Sequence, residues 1–306
     1  MAQDAARPPA EAGATAADAS AAIRSAAGFD AGSDSFGFVM AYSVGVTSDE
    51  LLSVLRGAAQ AGQPLAAWQL GIMYENGDGV ETDLAAAFEY FERIVENYAR
   101  TAPKSLDADI VASSFVKVAQ YYRSGLPEAG IAANRAEARR LIAHAASYFG
   151  NPEAQFQLAQ YYLDANELGY SPVQSAYWLN AAARKGHKAA IAMLPDVRFH
   201  AGEAYLDADH PAYNPAESIK WLTSAALSGH VGAQARLGAL LVSGEGIEPH
   251  PVEGLRWLAV ALKGAEGTPD AARIAELLRQ ALAAATPAER DEALLRSGVS
   301  LAGLEG

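Results

Sequence analysis

One spacing of small and large apolar residues recurs five times along this chain, and a pattern with that period admits few folds. In the run Ala154 to Tyr162, Leu158 and Ala159 stand four and three positions before Tyr162. The same phase returns with Tyr74, Tyr122, Tyr205 and Leu241 in the large position, preceded three residues earlier by Gly71, Ala119, Gly202 and Gly238. Successive copies are 48, 40, 43 and 36 residues apart. A second motif follows each block, with Tyr90, Leu141, Trp178, Trp221 and Trp257 in the large position and Ala87, Ala138, Ser175, Ser218 and Gly254 three positions before. Paired alanines (Ala145 and Ala146, Ala182 and Ala183, Ala225 and Ala226) and closing glycines (Gly186, Gly229) come after it, and Val54, Ala58, Ala59 and Gly62 form an upstream copy.

Residues at i, i+3, i+4 and i+8 share one face of a 3.6-residue helix, so each motif predicts one amphipathic helix. A Gly or Ala at the contact lets two helix backbones approach, and the Tyr or Trp of the neighbour fills the space beside it. The closing glycine suits the residue after a helix, where left-handed dihedrals are needed. Gly77, Asp78 and Gly79, like Gly244, Glu245 and Gly246, read as turns joining the two helices of a pair. The expected fold is all-α, an α-solenoid of stacked helix-turn-helix repeats. The packing residues are Gly71, Tyr74, Ala119, Tyr122, Ala159, Tyr162, Trp178, Gly202, Trp221, Gly238 and Trp257, with the tyrosines at the repeat position turned to the core.

This reading divides the chain into three parts. Residues 1–34 are rich in Ala, Gly, Asp and Pro with almost no large apolar residue before Phe29, and are expected to be a flexible arm. Residues 35–265 carry the repeats, and residues 266–306 hold two further helices, Pro269 to Ala285 and Pro287 to Val299, expected to cap the last repeat. Behind Met1 stand Ala2, Gln3 and Asp4, which fit the first residues left by a signal peptidase, with Met1 added for expression, and equally fit an ordinary unstructured start. The first of these makes the mature protein an exported one with its signal peptide removed.

Charge narrows the partners. The chain carries 23 basic and 36 acidic residues, a net charge of −13, and no Lys/Arg cluster, which argues against nucleic acid and anionic membranes. No apolar run approaches the roughly 18 residues of a spanning helix, so no membrane insertion is expected. With no cysteine there is neither a disulfide nor a thiolate metal site.

No set of residues for catalysis stands out: there is no Gly-x-Ser-x-Gly elbow, no His-Glu-x-x-His helix and no phosphate-cradling glycine loop, so an enzyme is not expected, nor a cofactor. The strongest metal candidate, Asp207, Asp209 and His210, precedes Pro211 in a turn and reads as a solvated loop. Glu75, Asn76, Asp78 and Asp83 lack the ligand alternation of a calcium loop. His187 and His230 each follow a closing glycine and read as structural, and His144 reads as a packed histidine.

A stack of helix pairs offers instead an elongated surface lined by the first helix of each repeat, suited to peptides and protein domains. Tyr121 and Tyr161 each precede a repeat tyrosine, so one ring of each tandem pair fills the core while the other points about 100° away around the helix. Those two are the candidate partner anchors, with Arg123 and Glu203 adding polar contacts at the rim. The alternative is that both rings of each pair pack against the adjoining repeat.

The pattern Ala66, Leu70, Gly71, Tyr74, then Gly77, Gly79, Val80, Asp83, then Ala87 and Tyr90, resembles the Sel1-like repeat, related to the tetratricopeptide repeat. Trp178, Ala182, Ala183 and Gly186, and Trp221, Ala225, Ala226 and Gly229, match its second helix. Within that class, Met73 to Val80, Ala119 to Gly125, Phe149 to Tyr162 and Trp178 to His187 resemble the ExoR family of rhizobial exopolysaccharide regulators over approximately residues 35–190. That stretch includes a long connection from Glu96 to Ala112. The resemblance implies a periplasmic protein that binds the sensing domain of a membrane histidine kinase and holds its signalling down. After Ala190 the family pattern is lost, with Pro195 interrupting the region. The competing expectation is a general envelope scaffold of the same repeats without control of a kinase.

Overall fold

A computed structural model describes residues 48–208 and 212–298 of the chain, and among them the regular structure is helical. The expected arm and the pair Asp209 and His210 lie outside the described residues. The chain divides into two compact units, with the boundary between Ala154 and Gln155.

In the first unit, α1 (Ser48–Gln60), α2 (Pro64–Asn76), α3 (Leu84–Tyr98), α4 (Ala108–Ser124) and α5 (Arg135–His144) pack each against the next. The last runs on into a π turn, Ala145–Phe149. Helix α6 (Pro152–Tyr161) straddles the boundary. The second unit continues with α7 (Pro172–Arg184), α8 (Lys188–Ala204), α9 (Pro215–Leu227), α10 (Val231–Ser243) and α11 (Pro251–Gly264). Helices α12 (Ala271–Ala284) and α13 (Pro287–Ser297) both pack on α11.

A single backbone bond ties the two helices of every pair. The amide of the residue capping the second helix donates to the carbonyl of the repeat position ending the first: Asp83 to Tyr74 (2.9 Å), Asn134 to Tyr122 (2.6 Å), Ser171 to Tyr162 (2.7 Å), Asn214 to Tyr205 (2.8 Å) and His250 to Leu241 (2.8 Å). It satisfies one of the carbonyls that a helix end otherwise leaves without a partner. The side chains of Asp83, Asn134, Ser171 and Asn214 also accept from the amide three residues on, which starts the second helix cleanly. Nine residues separate the tied positions in four of the pairs and twelve in the α4/α5 pair, where a short 3-10 turn, Pro127–Ala129, takes up the excess.

The second helix of a pair ends in a repeated stop. Gly186 and Gly229 have φ of +82° and +85°, a conformation that costs other residues strain. Their amides donate to Ala183 and Ala226, while the next residues, His187 and His230, donate to Ala182 and Ala225. This two-bond closure reverses the chain within two residues. Each histidine then caps the following helix: the His187 Nδ1 accepts from the amide of Ala190 (3.1 Å) and the His230 Nδ1 from that of Ala233 (3.0 Å). Each ring also stacks on a phenylalanine, His187 on Phe156 and His230 on Phe199. His144 sits between Phe115 and Tyr148 in an aromatic cluster.

Small residues bring helices together where the large partner fits beside them. A Cβ at Gly71 would lie 2.5 Å from the Phe91 ring, and one at Gly202 would lie 2.8 Å from Leu222. At the α10/α11 contact the atoms met are backbone, since a Cβ at Gly238 would lie 2.8 Å from the Gly254 carbonyl oxygen and 2.9 Å from the Leu258 nitrogen. Fully buried Phe91, Leu179, Leu222 and Leu255 occupy the second helices.

Three expectations need correction. The repeat tyrosines Tyr122 and Tyr162 are only partly buried, whereas Tyr121 (8% exposed) and Tyr161 (4% exposed) lie inside. In these pairs the last turn of the first helix delivers the residue before the repeat position to the core; the equivalents Met73 and Leu240 are buried as well, and Ala204 is partly buried. Pro195 does not break its region, because α8 continues through it for 17 residues. The carbonyl that loses its donor belongs to Ile191, on the exposed side of the helix. Finally, the connection expected from Glu96 to Ala112 is shorter, since α3 runs to Tyr98 and α4 begins at Ala108.

Candidate partner-binding surface

Several polar side chains on the first helices of the pairs are open to solvent. In the first unit, α2 and α4 lie side by side and are joined by Lys117, whose Nζ stands 2.7 Å from the Glu75 Oε2. The other oxygen of that carboxylate accepts from the Tyr121 hydroxyl at 3.3 Å. Burial pushes the Tyr121 phenol up, and the Glu75 charge and hydrogen bond push it further, so the ring stays neutral and donates. Its face packs edge-on to Phe88 at 5.7 Å. Tyr121 is therefore a core residue holding a polar pair, and the expected role of exposed anchor fails for it.

Tyr122 is the accessible ring of that tandem. It packs edge-on to Phe88, and its hydroxyl donates to Glu92. Burial raises the Glu92 carboxyl, helped by the charges of Glu96 and Glu89 and opposed by the Tyr122 hydrogen bond. Upstream, Tyr74 stacks on Tyr90 at 5.9 Å and accepts a hydrogen bond from Arg56 at 2.7 Å. Arg123 is exposed.

In the second unit, Tyr161 is buried and Tyr162 partly so, the same reversal within the tandem pair. Glu203 on α8 is half-exposed and paired with Arg236 on α10, Oε1 to Nε 2.9 Å. Asp196 lies 3.5 Å from His230 and 3.8 Å from His200. On α7, Asn180 accepts from the Arg198 guanidinium of α8 at 2.5 Å. Tyr170 and Tyr213, each one residue before the cap of a second helix, are 58% and 40% exposed, and Tyr177 on α7 is 63% exposed. These rings lie away from the ends of the first helices, where the tandem tyrosines stand. Their signal was available, since all three fall outside the large and small positions of both motifs, although Tyr177 packs edge-on against Trp178 at 5.2 Å.

Among the described residues no three acidic or histidine side chains converge as metal ligands. A cleft of about 260 Å3 between α1, α2 and α3 is lined by Gly62, Pro64, Arg93 and Tyr98, below the several hundred Å3 usual for enclosing a ligand. None of its lining residues forms an acid–base pair with another. No described helix is long and apolar enough to cross a membrane.

Comparison with known proteins places these helix pairs. The Sel1 repeat matches residues 64–97, 152–187, 198–230 and 231–264. The α4/α5 pair lies outside those segments, and it is the pair with the longer internal connection and the terminal π turn. Two curated proteins named exopolysaccharide production negative regulator are similar. One, from Rhizobium leguminosarum bv. viciae, is 37% identical over 158 residues, and the other, from Rhizobium meliloti (strain 1021), is 35% identical over 158 residues. Each alignment takes in 52% of this chain and 58% of the relative, so the chain spans little more than half the length of the curated relatives it matches. A solved Sel1 repeat protein from Oxalobacter formigenes superposes with a TM-score of 0.41 at 17% identity, over 88% of this chain and 98% of that one.

Proposed function

Because the chain is an α-solenoid of Sel1 repeats, we propose that it is a protein-binding negative regulator of exopolysaccharide production. It acts in the periplasm by holding the sensing domain of a membrane histidine kinase in its non-signalling state. The observation that carries this reading is the 35–37% identity to two negative regulators, combined with first helices that present paired charges and partly exposed tyrosines instead of a reaction centre. Stacked helix pairs present a broad surface suited to docking a folded domain.

Three measurements test the reading. Immobilised sensing domain of the cognate histidine kinase retains the wild-type chain, and deletion of the gene raises exopolysaccharide. A fusion of the full-length open reading frame to a phosphatase active only outside the cytoplasm is active. Absence of retention removes the kinase from the account. Retention of several envelope proteins with no change in exopolysaccharide makes the chain a general scaffold.

A further inference from the structure

Arg198 is a cation set in a register position that the other repeats fill with buried, uncharged side chains. It stands four residues before Gly202, and the equivalents are Ala67 (4% exposed), Phe115 (3%), Gln155 (6%) and Gln234 (7%). On its own helix it is flanked by buried Leu194, Val197 and Ala201, which belong to the apolar core with Leu179 of α7. A guanidinium has five N–H donors in a planar fork. Asn180 takes one of them, and the Asn180 amide is itself held in place because its nitrogen donates to the Ala176 carbonyl at 2.8 Å. Among the described residues no carboxylate comes within ion-pair distance of Arg198, although the chain has 36 acidic residues and Glu203, on the same helix, is paired with Arg236. Burial alone lowers its basicity, with no opposing charge to offset the loss of water.

A partly desolvated charge with a neutral partner costs stability, whereas a carboxylate placed against the fork turns that cost into affinity. The guanidinium is already stripped of part of its water and oriented by Asn180, so little remains to be lost when an acid docks. From this geometry we infer that Arg198, oriented by Asn180, is the anchor for an acidic side chain, Asp or Glu, of the bound protein. The inference rests on the protein-binding reading given above and adds the residue that would carry it. The remaining donors of the fork engage the two oxygens of the partner's carboxylate, and the Asn180–Arg198 bond fixes the plane in which it must approach.

The test uses the full chain and the purified sensing domain of the cognate kinase in a binding titration, together with melting of the free chain. Arg198→Gln weakens binding by about tenfold or more, and Arg198→Lys restores only part of it because an ammonium cannot grip both oxygens. Asn180→Ala gives a smaller loss. A scan of the sensing domain's acidic residues finds one whose neutral variant loses the same affinity and adds nothing in the Arg198→Gln background. Arg198→Met, by contrast, raises the melting temperature of the free chain by about 2 °C or more, since a desolvated charge is replaced by an apolar side chain. If wild type binds and Arg198→Gln binds equally well, the anchor is refuted while the kinase reading stands. If wild type does not bind, the kinase reading falls and the occupant named here falls with it. A drop in melting temperature for Arg198→Met marks the residue as structural and overturns the proposal. An Arg198-dependent rise in melting temperature with millimolar inorganic phosphate or succinate, at unchanged partner affinity, assigns the fork to a small anion and also overturns it.

Discussion

Replacing Gly238 by alanine adds one methyl group at the closest helix contact of the second unit. In α10 that Cβ would lie 2.8 Å from the Gly254 carbonyl oxygen, 2.9 Å from the Leu258 nitrogen and 2.8 Å from the Leu258 Cγ. Two of these three atoms are backbone, so no rotamer change relieves the clash, and α10 and α11 must separate by about half an ångström along much of their length. Such a gap forfeits about a quarter of each affected van der Waals contact. Overpacking of this kind costs about 3 kcal/mol at the upper end of its usual range. The helix propensity gained on changing Gly to Ala returns about 1 kcal/mol, leaving a net loss of about 2 kcal/mol. For a unit of this size that corresponds to a fall of roughly 4–8 °C in melting temperature. Gly57 in α1 is the control, because its Cβ would meet nothing within 4 Å. There the propensity gain stands alone, and Gly57→Ala melts slightly higher than wild type. Circular dichroism at 222 nm during thermal melts of both variants and the wild type decides the matter. If Gly238→Ala melts at or above wild type, as Gly57→Ala should, the close approach of α10 and α11 is wrong.

Other outcomes follow from the same contacts. His230→Ala removes the cap on Ala233 and the stacking on Phe199 and lowers the melting temperature by an amount matching about 1 kcal/mol, while His230→Asn, which keeps a capping acceptor, recovers most of it. Lys117→Met strands the Glu75 carboxylate; with the two side chains still 21% and 22% exposed, the loss is about 1–2 kcal/mol, below that of a fully buried pair, and adding Glu75→Gln restores much of it in chemical denaturation. Glu253 on α11 carries the pH prediction. Burial raises its carboxyl, but hydrogen bonds and charge from Arg256 and Arg296 outweigh that and hold it below the ordinary 4.5. A depressed value means that its contribution is complete above the unfolded value and lost as pH falls through the folded one. Melting followed from about pH 6 to pH 3 should therefore show a shallower acid decline for Glu253→Gln than for wild type. An identical decline would show that the tie from α11 to Arg296 on α13 adds nothing.

The helices and their pairing were legible because they depend on local spacing. Gly71, Gly202 and Gly238 mark where backbones must approach, and the phase they set agrees with carbonyls at Tyr74, Tyr122, Tyr162, Tyr205 and Leu241 that all accept the same backbone bond. The binding surface was less legible. Tyr121 and Tyr161 were assigned outward on the expectation that the aromatic shared by most repeats is the core residue. Met73 and Leu240, apolar residues at the same register as Tyr121 and Tyr161, carried the opposite signal. Proline at 195 read as a break because the rule for helix interiors weighs a lost bond without regard to which side of the helix the freed carbonyl faces.

The sequence by itself determined that this chain is a succession of helix pairs, where the turns within them fall, and which residues must stay small, because 3.6-residue periodicity, capping side chains and left-handed glycines act within a few residues of one another. Tertiary structure alone decided which tyrosine of each tandem faces inward, that Glu75 meets Lys117 across 42 residues, and that Arg198 meets Asn180 and no acid. Those outcomes depend on the rotation and offset between stacked helices. A shift of one residue around a helix moves a side chain by about 100°, enough to exchange the core for the surface.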